Sequence, residues 1–163
     1  MYEAYEYTQK HGIMLKGQYA HSYTPHAQHC KQTDQFHFKN TDMMEHDQMT
    51  NDEIKEQLLV QPVGVAIYST GMLQSYTKGI VTEEYLHCSK ESNEVNHGVV
   101  LVGFGSHKDE KVRGHCKDYW IVRNSWGSRW GENGFFKLCA DNPFTEKLPF
   151  GTCLVNQFGT WPI

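Results

Sequence analysis

The chain has 163 residues, a length that suits one domain or a small two-lobed unit. Its net charge is −4, and its acidic and basic residues are mixed along the chain. This argues against a nucleic-acid partner, because neutralising phosphates requires a concentrated basic face. The apolar stretches, such as residues 99–102, are too short to cross a bilayer, so we expect no membrane partner.

The first 42 residues are predicted to form one helix and a long loop. Residues 1–11 place tyrosines on one face, and Gly12 follows as a C-terminal stop. Residues 17–42 are rich in Gly, Pro, Ser, Thr and His and show no sustained period, which is typical of a loop.

A second helix is predicted to begin at Thr50 or Asn51, either of which can cap it. Acidic residues in its first turn suit the positive end of the helix dipole, and Pro62 ends the pattern. The predicted apolar stripe consists of Ile54, Leu58 and Leu59.

The remainder of the chain is predicted to form strands, because its segments are rich in β-branched and aromatic residues. Turn-forming residues at 131–134 predict an antiparallel hairpin between the third and fourth segments. Helices followed by antiparallel strands are typical of an α+β fold. The predicted strands are residues 63–69, 97–105, 118–125 and 134–139, with a final extended segment at 153–161.

A histidine and an asparagine stand at the ends of two predicted strands. His97 begins one and Asn124 ends another, so the two can meet at one rim of a sheet. An asparagine oxygen that accepts a hydrogen bond from one imidazole nitrogen fixes the ring, and the other nitrogen then faces a nucleophile. Trp126 could cover that bond and exclude water. The alternative is a capped strand end beside an aromatic core.

The segments around these residues resemble the papain family of cysteine peptidases, which includes the cathepsins. They are "VNHGVVLVGFG", "DYWIVRNSWGSRWGENGFFKL" and the closing "GTC…TWPI". Upstream, "QPVGVAI" is similar to the family's first barrel strand and "AYEYTQKHGI" to its left-lobe helix. The resemblance covers essentially the whole chain. It implies a two-lobed papain-like fold, with residues 1–44 as the C-terminal remnant of the helical left lobe and residues 45–163 as the β-rich right lobe.

The resemblance implies roles for four residues in a Cys-His-Asn mechanism. His97 would be the general base that holds a thiolate–imidazolium pair, and Asn124 would orient its ring. Trp126 would shield the hydrogen bond between them. Trp130 would line the leaving-group side of the cleft.

The resemblance also implies a set of substrate-binding residues. Ala66 and Phe158 correspond to the wall and floor of the main specificity pocket. Gly98 stands where the family often has alanine and should widen the pocket, and Asn96 is assigned to the same cleft. Because Ala66 and Phe158 are apolar, we expect a preference for a hydrophobic residue at the second position before the scissile bond. The resemblance implies an endopeptidase, and an exopeptidase is the open alternative. The alternative reading of these residues is ordinary core packing.

The nucleophile of this mechanism is not found among the cysteines of the chain. In the family it lies in a C-G-[SA]-C-[WY] sequence about 130–150 residues before the histidine, and counting back from His97 passes Met1. We therefore expect a C-terminal portion of a peptidase that is inactive alone. The cysteines, none of which begins that motif, are Cys30, Cys88, Cys116, Cys139 and Cys153.

Two disulfides are predicted. By resemblance, Cys88 and Cys153 form one in the β-rich lobe, while the usual partner of Cys30 lies upstream. Cys116 and Cys139 flank the predicted hairpin nearly symmetrically about its turn, and we predict a cross-strand bridge between them.

The resemblance implies that no metal or organic cofactor is needed. The partners would be a peptide or protein substrate and a cystatin-like or pro-segment inhibitor. A lysosomal, vacuolar or secreted location is implied by the family and by the predicted disulfides. The first residues show no signal-peptide pattern.

Two other classes of function remain open. A papain-like fold without its nucleophile could serve as a non-catalytic binding protein. A zinc-binding module is the second alternative, because three imidazoles and a thiolate lie close in sequence, although their spacing matches no standard site. Its ligands would be His21, His26, His29 and Cys30.

Overall fold

A computed structural model of the chain contains both helices and strands, which confirms the predicted α+β class. No helix within its described ranges has the length and apolar character needed to span a bilayer. The structure describes residues 2–15, 17–19, 26–29, 38–106, 116–141, 143 and 145–163.

The chain divides into two compact units, one of Met1–Met44 with Pro162–Ile163 and the other of Glu45–Trp161. Ile163 belongs to the first unit, where its carbonyl oxygen accepts a hydrogen bond of 2.7 Å from the Thr41 N–H group. The assignment of the two predicted domains to a left and a right lobe stays a prediction.

The first unit contains helix α1 (Tyr2–His11). Gly12 follows it in the left-handed region, with φ of +74°, which suits the predicted C-terminal stop. No residue of α1 is buried. An isolated antiparallel bridge joins Ile13 to Phe38, whose side chain is 64% exposed. Phe38 lies in the segment predicted to be a loop.

Helix α2 (Asn51–Leu58) begins with a capping box. The Thr50 hydroxyl accepts a hydrogen bond from the Glu53 N–H group, and the Glu53 carboxylate accepts one from the Thr50 N–H group. Ile54 is buried, but Leu59 is 78% exposed, so its predicted place in the apolar stripe is wrong. Five residues after Ile54, a helical position has rotated by about 140° from the buried face.

Short helices that the sequence does not predict interrupt the strands. Helices α3 (Gly71–Gln74) and α4 (Glu83–Leu86) and a 3-10 turn at Ser92–Glu94 have one turn each or less. A single turn is too short to show a 3.6-residue period, so the sequence pattern carries no signal for it.

The strands of the described residues form one sheet in the order β1-β7-β2-β4-β5-β6-β3. The predicted hairpin of β5 and β6 is present and antiparallel. Strand β3, which the sequence does not predict, pairs in parallel with β6 at one edge of the sheet. The strands are β1 (Met43–Asp47), β2 (Val63–Ile67), β3 (Ile80–Val81), β4 (His97–Ser106), β5 (Asp118–Arg123), β6 (Phe135–Cys139) and β7 (Phe158–Pro162).

The core of the second unit lies on one face of the central strands. Alternate residues of β2, β4, β5 and β6 are buried there, as the two-residue period of a strand requires. His97 falls on the same face as the buried residues of β4, at the end of the core. The alternating buried residues are Val63, Val65, Ile67, Val99, Leu101, Trp120, Val122, Phe136 and Leu138.

Residues 150–157, here named the C-terminal bend, differ from the prediction of an extended segment beginning at residue 153. Residues Thr152–Leu154 form a 3-10 turn, and both Cys153 and Leu154 adopt positive φ, at +53° and +67°. Strand β7 begins only at Phe158. The extended prediction fails here because the apolar character of these residues reflects burial and not strand geometry.

Both expected disulfides are present. Cys88 is bonded to Cys153 in the C-terminal bend. Cys116, which lies just before β5, is bonded to Cys139 at the end of β6.

Candidate functional site

The pairing of β4 with β5 brings His97 and Asn124 together. His97 is the first residue of β4, and Asn124 directly follows β5, whose last residue pairs with Val100. The Nε2 atom of His97 lies 2.9 Å from Oδ1 of Asn124. The two side chains therefore meet at one rim of the sheet.

The Asn124 amide is oriented by a second hydrogen bond. Its Oδ1 atom also accepts from the Ser125 N–H group at 2.8 Å. Because an amide oxygen only accepts, His97 donates from Nε2, and in the neutral ring Nδ1 is then free to take a proton. The Asn124 side chain is 8% exposed, and its Nδ2 atom has no hydrogen-bond partner among the residues that the structure describes.

Two tryptophans pack beside this pair. The indole of Trp126 stacks on the imidazole of His97, with ring centres 5.1 Å apart and planes 27° apart. Trp130 meets Trp126 edge to face at 4.9 Å and Phe136 at 5.7 Å. The imidazole is thus held at one edge by an amide and on one face by an indole.

Residues 124–135, here named the tryptophan turn, connect β5 to β6. The Asn124 N–H group donates to the Gly134 carbonyl at 2.9 Å, and the Gly134 N–H group donates to the Trp130 carbonyl at 2.8 Å. Its residues with positive φ are of types that tolerate this conformation. They are Gly127, Gly131, Asn133 and Gly134.

Three of the predicted substrate-binding residues fall in one row across the sheet. Ala66 of β2 pairs with Gly98 of β4. Strand β7 lies on the other side of β2, and continuing its register by one residue puts Phe158 opposite Ala66. Val65 and Ile67 are buried, so Ala66 faces away from the core. Ala66 and Phe158 are half-buried, and Gly98 is exposed.

The side chain of Asn96 is engaged with the protein itself. Its Oδ1 atom accepts from the Ser69 N–H group at 2.7 Å, and its Nδ2 atom donates to the Ser69 carbonyl at 3.2 Å. These bonds join the end of β2 to the start of β4. The substrate-binding role of Asn96 stays a prediction, and the structure gives its amide a bracing role that the sequence does not reveal.

The sequence also does not reveal that Tyr76 and Glu132 form a pair near Trp130. The hydroxyl of Tyr76 lies 2.9 Å from Oε1 of Glu132, although the residues are far apart in the chain. Burial, followed by the hydrogen bond to Glu132, raises the pKa of Tyr76 above its ordinary value. No periodicity or short motif links two residues at this separation, so only the folded structure identifies the pair.

Two of the four residues of the alternative zinc site are among the described residues. His26 and His29 are exposed, while His21 and Cys30 lie outside the described residues. In the described part, two groups place three potential ligand atoms within 4.8 Å of one another. Each contains both sulfurs of a disulfide, which offers no thiolate to a metal.

The sequence matches the profile of the family described as papain family cysteine protease over residues 1–162. It is 46% identical over 115 residues to the probable cysteine protease RD21C of Arabidopsis thaliana. That alignment covers 69% of this chain but only 22% of the length of RD21C.

Two solved structures resemble the chain over 98% of its length. The bromelain protease from Ananas comosus, in complex with the E64 inhibitor, has a TM-score of 0.79 at 24% identity, with 66% of that chain covered. The proform of the ragweed pollen allergen Amb a 11, a cysteine protease, has a TM-score of 0.76 at 29% identity, with 44% of that chain covered.

Proposed function

Because the chain belongs to the papain family of cysteine proteases, we propose that it supplies the histidine and asparagine of a cysteine-type endopeptidase. The observation that carries this proposal is the 2.9 Å contact between His97 Nε2 and Asn124 Oδ1 beneath the stacked Trp126 ring. That contact leaves Nδ1 of His97 as the basic nitrogen, which is the requirement for activating a thiol.

In the proposed mechanism, His97 Nδ1 takes the proton of a cysteine thiol, and Asn124 holds the ring throughout. The thiolate attacks the peptide carbonyl. His97 then gives its proton to the leaving amine as the C–N bond breaks, which yields an acyl-enzyme and a free amine. Water attacks the thioester with His97 again as the base, and the acid product leaves with the thiol restored.

We propose that the nucleophilic cysteine lies outside these 163 residues and that the chain alone does not hydrolyse peptides. Cys88, Cys116, Cys139 and Cys153 are bonded in disulfides, and Cys30 is followed by lysine where the family motif has glycine. In a well-studied serine protease, loss of the nucleophile costs about a millionfold in turnover.

The row formed by Ala66, Gly98 and Phe158 supports a hydrophobic preference at the second residue before the scissile bond. Ala66 and Phe158 are apolar and only half-buried, so a hydrophobic side chain placed against them would remove further apolar surface from water. Trp130 is proposed to line the leaving-group side of the cleft.

The natural partners are proposed to be peptide substrates and inhibitors of the pro-segment or cystatin-like kind. Two disulfides favour an oxidising location, either secreted or within a lysosome or vacuole.

The test is a chimaera that joins the cysteine-bearing N-terminal part of a papain-family peptidase to this chain. It should hydrolyse a peptide with phenylalanine at the second position, and a thiol-reactive inhibitor should abolish the activity. His97→Ala should lower kcat/KM by about 10⁴-fold or more. His46→Ala, a change at an exposed histidine of β1, is the matched control and should have no effect.

Two outcomes would reject the proposal. One is inhibitor-sensitive hydrolysis by the 163-residue chain alone. The other is a folded chimaera that binds peptides but does not cleave them, which would favour the non-catalytic binding protein.

A further inference from the structure

A line of ring contacts leads from His97 to Tyr76. Trp126 stacks on His97, and Trp130 packs against Trp126. The ring of Tyr76 lies 5.5 Å from that of Trp130 and 6.1 Å from that of Phe136. Tyr76 is therefore linked to His97 through the rings of Trp130 and Trp126.

The hydroxyl of Tyr76 is tied to the protein on several sides. It lies 2.9 Å from Oε1 of Glu132 and 2.8 Å from the Gly79 carbonyl oxygen, and it accepts from the Lys137 N–H group at 3.3 Å. The side chain is 4% exposed. A buried hydroxyl that lost these partners would carry its full desolvation cost, so the position of the ring is closely defined.

The Glu132 carboxylate accepts hydrogen bonds from three different donors. Burial raises its pKa, but hydrogen bonds from the Gly79 N–H group, the Lys137 ammonium and the Tyr76 hydroxyl outweigh burial, and the net pKa of Glu132 is lowered. Its Oε2 atom pairs with Lys137 Nζ at 3.0 Å. The carboxyl is thus ionised at neutral pH, and the bond from Tyr76 is a charge-assisted one, which is stronger than a neutral bond.

These contacts fasten the tryptophan turn at two points. Glu132 lies in the turn two residues after Trp130 and is held by Tyr76 and the Gly79 N–H group, the latter at 2.9 Å. The indole N–H group of Trp130 donates to the Gln74 carbonyl at 3.0 Å. The segment of residues 74–79 therefore holds both the indole and the carboxylate of the turn.

The fit between Tyr76 and the turn is close at Gly131. This glycine has φ of +57°, and a Cβ atom there would meet the Tyr76 ring at 3.0 Å and the Phe135 carbonyl oxygen at 2.6 Å. The ring therefore packs directly on the bare main chain of the turn. A displacement of Tyr76 would be transmitted to the turn and not absorbed by a flexible side chain.

We propose that Tyr76 and Glu132 are positioning residues that hold Trp126, through Trp130, against the His97–Asn124 pair. This role rests on the proposed function, because the two residues would support the His97–Asn124 pair. The stacking of Trp126 on His97, however, exists before any substrate or nucleophile is present. The stacked indole limits the access of water to the bond between His97 Nε2–H and Asn124 Oδ1.

The test measures the exchange with water of the His97 Nε2 proton by NMR, using the 163-residue chain labelled with ¹⁵N-histidine. Tyr76→Phe keeps the ring and removes only the hydroxyl. The exchange rate should rise by about tenfold or more, the factor that corresponds to the loss of one hydrogen bond to a charged group. Glu132→Gln keeps an acceptor oxygen but removes the charge, so it should give a smaller rise.

Lys137→Met is the matched control. It removes the partner of Glu132 Oε2 but keeps the Lys137 N–H group that bonds to the Tyr76 hydroxyl. The exchange rate of the His97 Nε2 proton in this variant should stay within about twofold of that in the parent protein, because an ion pair that is partly exposed to solvent contributes little. Exchange of the buried amides of Val122 and Leu101, measured on the same samples, reports general loosening of the fold.

An unchanged His97 exchange rate in Tyr76→Phe would overturn the proposal. So would an equal rise in Lys137→Met, or a rise in Tyr76→Phe that the amides of Val122 and Leu101 share in full. The measurement needs no catalysis. An inactive chimaera would therefore count against the proposed function alone, while an unchanged exchange rate would count against the positioning role alone.

Discussion

The tryptophan turn and the C-terminal bend stabilise residues with positive φ by different means. Both contain several residues with positive φ. The turn places glycine and asparagine there, and main-chain hydrogen bonds within the turn join its ends. The bend places Cys153 and Leu154 there, although a left-handed conformation costs about 1–2 kcal/mol for a residue with a side chain. The backbone conformation of the turn is therefore specified locally, although residues 74–79 fasten two of its side chains. The conformation of the bend requires partners elsewhere.

The partners of the bend come from distant parts of the chain. Cys153 is bonded to Cys88, and its N–H group donates to the Glu83 carboxylate at 2.7 Å. The Asn156 amide, which is 1% exposed, donates to the Met49 carbonyl and to Asn51 Oδ1, each at 2.9 Å. Long-range contacts thus stabilise the positive φ of Cys153 and Leu154, which these residue types do not favour by themselves.

The largest predicted effect is the loss of the disulfide in the bend. Replacing Cys88 and Cys153 by alanine should lower the free energy of unfolding by about 4 kcal/mol, because the bond closes a loop across 65 positions. The same change at Cys116 and Cys139, 23 positions apart, should cost about 3 kcal/mol. Urea unfolding of both variants measures the two values. A larger loss for Cys116 and Cys139 would contradict the view that the bend depends on its bond to Cys88 more than the hairpin depends on its own disulfide.

The next largest effect is expected from a substitution inside the bend. Gly151 has φ of +70° and ψ of −177°, a region open only to glycine, and a Cβ atom there would overlap Oδ1 of Asn156. Gly151→Ala should therefore destabilise the protein by about 3–4 kcal/mol, through strain and the loss of the buried hydrogen bonds of Asn156.

Gly71→Ala is the control for that variant in the same unfolding experiment. Gly71 begins α3, and a Cβ atom there would have no neighbour within 4 Å. We expect a change within about 1 kcal/mol, in the stabilising direction, because alanine lowers the entropy of the unfolded chain. Equal losses for Gly151→Ala and Gly71→Ala would mean that the contact with Asn156 does not govern the bend.

Two glycines of the tryptophan turn separate backbone strain from packing. Both have positive φ, but a Cβ atom on Gly127 would meet nothing within 4 Å, while one on Gly131 would meet the Tyr76 ring and the Phe135 carbonyl. Gly127→Ala should cost about 1 kcal/mol from strain alone. Gly131→Ala should cost about 2–3 kcal/mol, since steric overlap is added. Similar values for the two, from urea unfolding, would show that Tyr76 does not pack closely on the turn.

The same contrast explains which features the sequence predicts. The hairpin of β5 and β6 and the turn at residues 131–134 follow from β-branched and aromatic residues in the strands and from glycine and asparagine in the turn, which are local signals. The positions of His97 and Asn124 at strand ends follow from the same strands. These elements need no knowledge of distant contacts.

The features that the sequence does not predict depend on partners far along the chain. The parallel pairing of β3 with β6 and the contact of Tyr76 with Glu132 join segments with no shared periodicity. In the C-terminal bend, Cys153 and Leu154 look like strand residues because they are apolar, but they are buried in a turn held by Glu83.

The smallest predicted effect concerns the pH dependence of the bend through Glu83. Burial raises the pKa of Glu83 above its ordinary value of 4.5, with Asp141 adding to the rise, while hydrogen bonding from the Cys153 N–H group and the charge of Lys90 oppose it. The folded state therefore binds this proton more tightly than the unfolded state. The stability that it contributes is complete below about pH 4.5 and is lost as the pH rises through the folded pKa.

Glu83→Gln isolates this contribution, because glutamine keeps an acceptor oxygen for the Cys153 N–H group but cannot titrate. The free energy of unfolding of the variant, relative to the parent protein, should become more favourable between pH 4 and pH 7. Glu56→Gln, at an exposed position of α2, should show a constant difference over the same range. Urea unfolding at several pH values measures both. A Glu83→Gln difference that falls with pH would mean that the carboxylate stabilises the bend as an ion, so that its hydrogen bond to Cys153 outweighs the cost of burial. A constant difference would mean that the hydrogen bond and the cost of burial cancel, and it too would contradict the prediction.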